Sequence, residues 1–249
     1  MGEMLVVNQK DNVPLIIIRP TMITSTNKDP FPGWIEGVRT MDSVICGYGL
    51  GKLACFVGNA NTVLDTIPAD LVVNCVITTI VVHLDQDPNK FIYHISSSLR
   101  NPFKISDLIN IAYDYFVKNP WIDANGKPIV TSKRLWLTSL DAFNNYMMFR
   151  YVMPLKVSNF VNKIFFRLFQ NNTYDNNCKK IRMLKGLAKL YTPYACFKGV
   201  FDDTNTENLR RVAKGYMGNG ELDFDPTNID WTNYMMNTHI PSLVKYATK

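Results

Sequence analysis

The run Val13-Pro14-Leu15-Ile16-Ile17-Ile18 is apolar without alternation, and Pro20 stops it. Such a run predicts a short strand buried on both faces of a parallel sheet, since alternation disappears when neither face meets water. Before it, residues 1–9 read as the tail of a helix broken at Asn12. Residues 24–33, TSTNKDPFPG, are rich in turn formers and predict a loop. Residues 34–43 read as a short helix, the glycines at 47, 49 and 51 as another loop, and 53–57 as a strand. Pro68 opens a helix reaching residue 84, at a position where its missing N–H costs little. Residues 91–96, FIYHIS, alternate like a strand. Ser106 suits the N-cap of a helix to residue 117, with Leu108, Ile109, Ala112, Tyr115 and Phe116 on its apolar side. Asn119-Pro120 ends it. From residue 135 onward apolar positions recur three and four apart, predicting helices over 139–152, 155–170, 178–191 and 205–216, and a last one near 231–237. The fold class expected from this pattern is α/β, followed by a mostly α-helical region, with a boundary near residue 100.

Composition adds a core and removes several classes. With 249 residues, 47% hydrophobic and 19% charged, the chain is globular, not disordered. No apolar stretch reaches the roughly 20 residues of a membrane span; the longest, 71–84, contains Asn74, Thr78, Thr79 and His83. The first residues do not form a signal peptide. Five cysteines at 46, 55, 75, 178 and 196, without a CxxC, read as reduced thiols, and three histidines argue against a multi-histidine metal centre.

Charge is uneven. Residues 1–130 carry 10 basic and 12 acidic side chains, and residues 131–249 carry 17 and 9. Between Arg150 and Lys198 ten Lys or Arg face one acid, Asp175. That excess is either a solvated basic face or the footprint of an anionic partner: a phosphate-bearing ligand or an acidic lipid surface. No helix-turn-helix, zinc finger or RNP signature is present, so nucleic acid is not the expected partner. Residues 155–170, LKVSNFVNKIFFRLFQ, place Phe160, Ile164, Phe165, Leu168 and Phe169 on one helical face edged by Lys156, Lys163 and Arg167. Such a face packs in a core, lies in a membrane interface or lines a site for a long acyl chain.

Candidate chemistry is sparse. Gly47-Tyr48-Gly49-Leu50-Gly51 has the GxGxG start of a dinucleotide loop, but Lys52 occupies the place of the third required glycine, so a structural loop is expected. A Tyr and a Lys four apart on a helix share a face, and the ammonium can lower the phenol's pKa for proton donation. Tyr48/Lys52 and Tyr194/Lys198 match that spacing, yet the first lies among glycines and the second follows Thr192-Pro193, so neither is expected to be catalytic. His83 and His94 read as satisfied or surface histidines and His239 as a helix-end residue.

Several separate segments go further than period and composition. Met1-Gly2-Glu3-Met4, Ile18-Arg19-Pro20-Thr21-Met22-Ile23, Pro32-Gly33-Trp34-Ile35-Glu36-Gly37, Gly49-Leu50-Gly51-Lys52-Leu53 and Asp65-Thr66-Ile67-Pro68-Ala69-Asp70-Leu71-Val72-Val73-Asn74 occur in order. Asp230-Trp231, Tyr234 and His239-Ile240-Pro241 close the chain. Together they resemble plant alcohol-forming fatty acyl-CoA reductases of the male sterility family, over about the C-terminal half of such a protein. The resemblance implies a fold in which residues 1–100 are the C-terminal part of an extended short-chain dehydrogenase (Rossmann-like) domain and residues 101–249 a helical C-terminal domain. It implies NADPH as cofactor and a long-chain fatty acyl-CoA, reduced to the primary alcohol, as substrate. Arg19, Pro20, Thr21 and Ile23 match the strand end that borders the nicotinamide in this family, and Phe31, Pro32, Gly33 and Trp34 match the substrate-side loop. The family's cofactor loop and Tyr-x-x-x-Lys pair would fall upstream of Met1, so no catalytic residue and no metal ligand carries over. The chain is then expected to be inactive alone and to work with an N-terminal half or a partner reductase. It is expected to be intracellular, with the endoplasmic reticulum favoured over the plastid. The alternative is a non-catalytic module that binds a membrane or a partner.

Overall fold

A computed structural model describes residues 2–11, 13–53, 55–84, 91–123, 125–132, 135–162, 164, 171–217 and 222–246. Two compact units are present: Met1–Cys46 with Val63–Tyr115 and Gly199–Lys249, and Gly47–Thr62 with Phe116–Lys198.

In the first unit, helix α1 (Gly2–Gln9) precedes strand β1 (Ile16–Pro20), which runs through Thr21 into β2 (Met22–Thr24). β1 pairs in parallel with β5 (Phe91–Ile95), Ile16 opposite Phe91 and Pro20 opposite Ile95. β2 pairs in parallel with β4 (Thr66–Pro68), Met22 opposite Thr66 and Thr24 opposite Pro68. Successive N–H groups of an extended chain point to opposite edges. Thr21 N–H accordingly donates to Ile95 O at 3.0 Å and Met22 N–H to Asp65 O at 3.1 Å. One continuous segment is thus flanked by β5 on one edge and β4 on the other. The parallel direction matches the expectation from its β-branched run, but Ile16, Ile17 and Ile18 are only half-buried. Helix α1 buries none of its residues.

Helix α3 (Ala69–Val82) follows β4 directly, with Pro68 at its N-cap. It buries Leu71, Cys75, Thr78, Thr79 and Val82, a three-and-four spacing. Helix α8 (Thr204–Met217) packs against α3 and β5. Its entry is tied by Asp203, fully buried, which accepts from Arg100 Nε at 2.6 Å and Arg210 Nη2 at 3.2 Å. Charge-assisted bonds from two guanidinium groups offset the cost of burying this carboxylate. The chain closes with α9 (Trp231–Tyr234), a π-helical turn at Met235–His239 and α10 (Ile240–Tyr246).

In the second unit, β3 (Cys55–Val57) pairs in parallel with β6 (Leu135–Leu137). Ser139 then caps α5 (Leu140–Met147), its hydroxyl accepting from Ala142 N–H at 3.1 Å. A π-helical turn at Met148–Val152 leads into α6 (Met153–Val161), and α7 (Asn171–Ala195) follows. The core gathers Cys55, Val57, Phe143, Met147 and Ala188, with Leu137, Leu140, Ile181 and Leu184 packed against them.

Two helices belong to both lists of residues. α2 (Thr40–Gly49) starts later than the helix expected over 34–43 and takes in Gly47 and Gly49. α4 (Ile105–Lys118) covers the expected span, but it begins before Ser106, whose hydroxyl donates to Asp107 Oδ1 instead of capping the helix. The short strands β2, β4 and β6 are not evident in the sequence pattern. Residues 163 and 165–170 of the aromatic stretch lie outside the described residues.

Position 49 of α2 requires glycine because a side chain would not fit: a Cβ there would lie 2.4 Å from the ring of Phe116, which is itself buried and stacked on Trp121 at 5.7 Å. Gly186, inside α7, has no atom within 4 Å of a built Cβ. Alanine at the two positions should act with opposite signs. Gly49→Ala should destabilise the chain by about 1–3 kcal/mol through overpacking. Gly186→Ala should stabilise it by about 0.5–1 kcal/mol through helix entropy. Urea unfolding followed by tryptophan fluorescence distinguishes them; equal effects would contradict this packing.

Candidate functional site

At the carboxyl end of the β1–β2 segment the chain does not enter a helix. It folds into a closed loop over residues 25–34, built from short polar side chains that satisfy their own backbone. Thr26 Oγ1 donates to Phe31 O at 2.7 Å and accepts from Trp34 N–H at 2.9 Å. Gly33 N–H donates to Thr26 O at 2.8 Å, and Thr26 N–H donates to Trp34 O at 3.1 Å. The far side of the loop is held by Asp70, in the first turn of α3. Its carboxylate accepts from Asn27 N–H at 2.9 Å, Lys28 N–H at 2.7 Å and Asp29 N–H at 3.3 Å. A carboxylate at a helix N-terminus also suits the helix dipole.

Gly33 is required twice over. Its φ is +85°, and a Cβ would lie 1.9 Å from Ser242 Oγ of α10. The loop is therefore pressed against the C-terminal helix with no room for a side chain. Beyond the exposed, charged Lys28 and Asp29, it leaves aromatic side chains to solvent: Phe31 is 47% exposed and Trp34 42%, and Ile23, on β2 just before the loop, 49%. A rigid polar frame thus presents a small apolar and aromatic surface beside a parallel-strand end, the usual position for ligands in open α/β sheets.

Under the loop lies a buried polar cluster that sequence reasoning missed. His239 is fully buried; its Nε2 lies 3.0 Å from Asp42 Oδ1 and its Nδ1 3.0 Å from Ser25 Oγ. The carboxylate can only accept, so Nε2 donates to Asp42, while Nδ1 faces the Ser25 hydroxyl and backbone N–H. Tyr234, also buried, donates to Ser25 O at 2.6 Å and lies 2.8 Å from Thr24 Oγ1. Burial holds its phenol well above the ordinary tyrosine range, against the lowering effect of the Ser25 and Thr24 hydrogen bonds. Ser25, His239 and Asp42 have the composition of a hydrolase triad, but all three are buried, and a nucleophile must be reached by its substrate. The cluster is a staple. It joins the strand end, α2 and the C-terminal helical stretch. His239 was expected at a helix end; its partners lie 214 and 197 residues away, and no local signal in the sequence marks them.

The residues matched to the nicotinamide border and those matched to the substrate loop have different surroundings. Arg19, on β1, is ion-paired with Glu3 of α1, and its Nη1 lies 3.3 Å from His94 Nε2. The Glu3 hydrogen bond raises the guanidinium pKa, and Arg19 lowers that of the Glu3 carboxyl. Pro20 is exposed, and Thr21 Oγ1 donates to Ile95 O at 3.2 Å. Ile23, on β2 directly before the loop, is also exposed. Phe31, Pro32, Gly33 and Trp34 all belong to the closed loop.

A nicotinamide ring could lie on the apolar surface of Ile23, Phe31 and Trp34. A pyrophosphate needs free N–H groups at the start of a helix, and the GxGxG segment does not offer them, because Gly47 and Gly49 are the last turn of α2. That segment therefore supplies no pyrophosphate cradle. The Tyr-x-x-x-Lys spacings do not form acid pairs on a shared helix: Tyr48 donates its hydroxyl to Ser132 O at 3.1 Å and Lys52 follows the end of α2, while α7 ends before Lys198. Cys46 and Cys75 of the first unit are buried, and burial pushes each thiol up to about 11.

Breaking the staple should cost stability. His239→Ala and Asp42→Asn should each lower the unfolding free energy by about 1–3 kcal/mol, by leaving a buried polar partner unsatisfied. The double variant should fall short of the sum by about 0.5–3 kcal/mol. Urea denaturation of the four proteins checks this, and additive losses would show that the two side chains do not share one bond.

Two family models described as male sterility protein match the chain, an NAD-binding one over residues 1–76 and a second over residues 150–249. Fatty acyl-CoA reductase 1 of Arabidopsis thaliana is 45% identical over 251 residues, covering 100% of this chain and 51% of that protein. The alcohol-forming fatty acyl-CoA reductase of Simmondsia chinensis is 43% identical over 249 residues, covering 99% of this chain and 50% of that protein. The chloroplastic fatty acyl-CoA reductase 2 of Arabidopsis thaliana is 35% identical, covering 100% of this chain and 41% of that protein. The chain spans about half the length of the curated relatives it matches. With an NAD-binding, Rossmann-like segment at its start and the family's second segment at its end, the chain belongs to the male sterility protein family.

Proposed function

We propose that this chain is the substrate-side half of an alcohol-forming, NADPH-dependent fatty acyl-CoA reductase. Residues 1–100 form the C-terminal part of its reductase domain and residues 101–249 its helical C-terminal domain. The observation that carries the reading is the closed loop 25–34, with Phe31, Trp34 and Ile23 exposed beside a parallel-strand end. NADPH, when bound, supplies the hydride that reduces the thioester carbonyl and then the aldehyde. The strand end formed by Arg19, Pro20, Thr21 and Ile23 borders the nicotinamide, with Ile23 offering the apolar contact. Arg19 and Thr21, already engaged with Glu3 and with Ile95, hold that border in shape. Phe31 and Trp34 form an apolar wall that excludes water from the reacting carbonyl, and Gly33 keeps the wall close to α10. The proton donor and the pyrophosphate site come from an N-terminal half, in the same protein or in a partner reductase.

The chain alone should not oxidise NADPH in the presence of palmitoyl-CoA, since positioning of both reactants supplies much of such a rate. Adding the N-terminal half of a family member should restore turnover. Trp34→Ala should then lower kcat/KM about tenfold or more while leaving the unfolding midpoint nearly unchanged. Turnover by the chain alone, or none after reconstitution, would remove this reading.

A membrane partner is supported by a separate observation. Phe149, Met153, Val157, Phe160 and Ile164 are all exposed and recur three and four apart, with Phe149 at 72% and Phe160 at 65%. Arg150 and Lys156, both exposed, lie on the same stretch. Bulky apolar residues on one face beside cations suit a helix lying in the headgroup region of an anionic membrane, and an endoplasmic reticulum surface is the proposed one. Among the described residues no helix is long and apolar enough to cross a membrane. Vesicles containing phosphatidylserine should sediment the chain, more weakly as salt rises, since each near-surface cation contributes about 1 kcal/mol. Phe149→Ser with Phe160→Ser should abolish sedimentation; unchanged binding would exclude this face.

A further inference from the structure

The second unit has a partly open cavity of about 780 Å3, within the roughly 300–1,000 Å3 of small-molecule sites. Its interior is formed by Cys55 of β3, Met147 of α5, Tyr151 of the π-helical turn, Leu155 of α6, and Ile181 and Leu184 of α7. Burial pushes the Cys55 thiol up to about 11, so it lines the wall as a neutral group. Lys52 and Lys180 also line the cavity, and both are solvent-exposed, which puts them at its opening. On α7, Lys180 is the cation on the cavity's side; Arg182 and Lys189, two and nine residues further on, lie about half a turn round the helix.

We propose that this cavity holds the hydrocarbon chain of a long-chain acyl-CoA, with Lys52 and Lys180 meeting the phosphates of the CoA moiety. The proposal rests on the acyl-CoA reading above and assigns the chain's binding site to the second unit. The wall is apolar enough for methylenes. Its lining residues include no acidic side chain and one amide, Asn177, a poor set for recognising a ribose or a base.

Binding is measured on the whole 249-residue chain by calorimetry, with octanoyl-CoA, dodecanoyl-CoA, palmitoyl-CoA, palmitate and free CoA. Affinity should rise about three- to fourfold per added methylene until the cavity is filled. Palmitoyl-CoA should bind at least tenfold more tightly than palmitate, and free CoA weakly. Leu155→Trp narrows the interior and should weaken palmitoyl-CoA at least tenfold while sparing octanoyl-CoA. Lys52→Glu with Lys180→Glu changes only exposed residues, so the fold is not at risk, and it should remove the advantage of palmitoyl-CoA over palmitate. A photoreactive palmitoyl-CoA should label peptides containing Tyr151, Leu155 or Ile181. Chain-length-independent binding, labelling elsewhere, or a folded Leu155→Trp protein with unchanged affinity would overturn the proposal, even if reconstituted reductase turnover were normal. Binding as described without turnover after reconstitution would leave the cavity assigned and remove the reductase reading instead.

Discussion

A fully buried imidazole costs several kcal/mol unless both of its nitrogens find partners. His239 finds them in Asp42 and Ser25, which belong to the other end of the chain. Much of the first unit's geometry depends on that exchange. Ser25 is the first residue after β2, so a bond to it determines where the strand ends. Tyr234 holds the same residue through its carbonyl. Gly33 then meets Ser242 one turn beyond His239, and this sets how low the loop lies. The exposed positions of Phe31 and Trp34 follow from these constraints, since their loop has backbone partners on one side in Thr26 and on the other in Asp70.

The molecule keeps its polar groups inside and several apolar ones outside, the reverse of the usual balance at these places. In the first unit α1 buries nothing, and Val73, Ile77, Ile80 and Leu84 form an exposed stripe along and just beyond α3. In the second unit a similar stripe runs along α6. Parallel strands are ordinarily covered on both faces, and the half-buried isoleucines of β1 lack that cover here. Contiguous exposed apolar stripes mark surfaces for contact with other apolar material.

The two units present different features. One has a strand end with an aromatic rim, held by polar side chains; the other has an apolar cavity bordered by Lys52 and Lys180. His239 is engaged on both ring nitrogens, and burial raises the thiols of Cys46, Cys55 and Cys75.

The sequence by itself determined the local elements. The β-branched run at 16–18 made a parallel strand, Pro68 opened α3, the apolar spacing of 105–118 made α4, and the turn formers of 24–33 made a loop, because each depends on neighbours a few residues apart. The wording of residues 18–23 and 32–37 also pointed to the family. Period alone misplaced α2 by several residues, since Gly47 and Gly49 looked like loop formers until Phe116 showed why no side chain could stand at 49. It likewise missed β2, β4 and β6, each only three residues long, too short for any repeat to register. The staple of Ser25, Asp42, Tyr234 and His239 and the cavity beneath α7 were decided by tertiary structure. Their members are polar or apolar residues of ordinary kinds, and what makes them a site is the convergence of segments up to 214 residues apart, a distance over which a linear pattern carries no information.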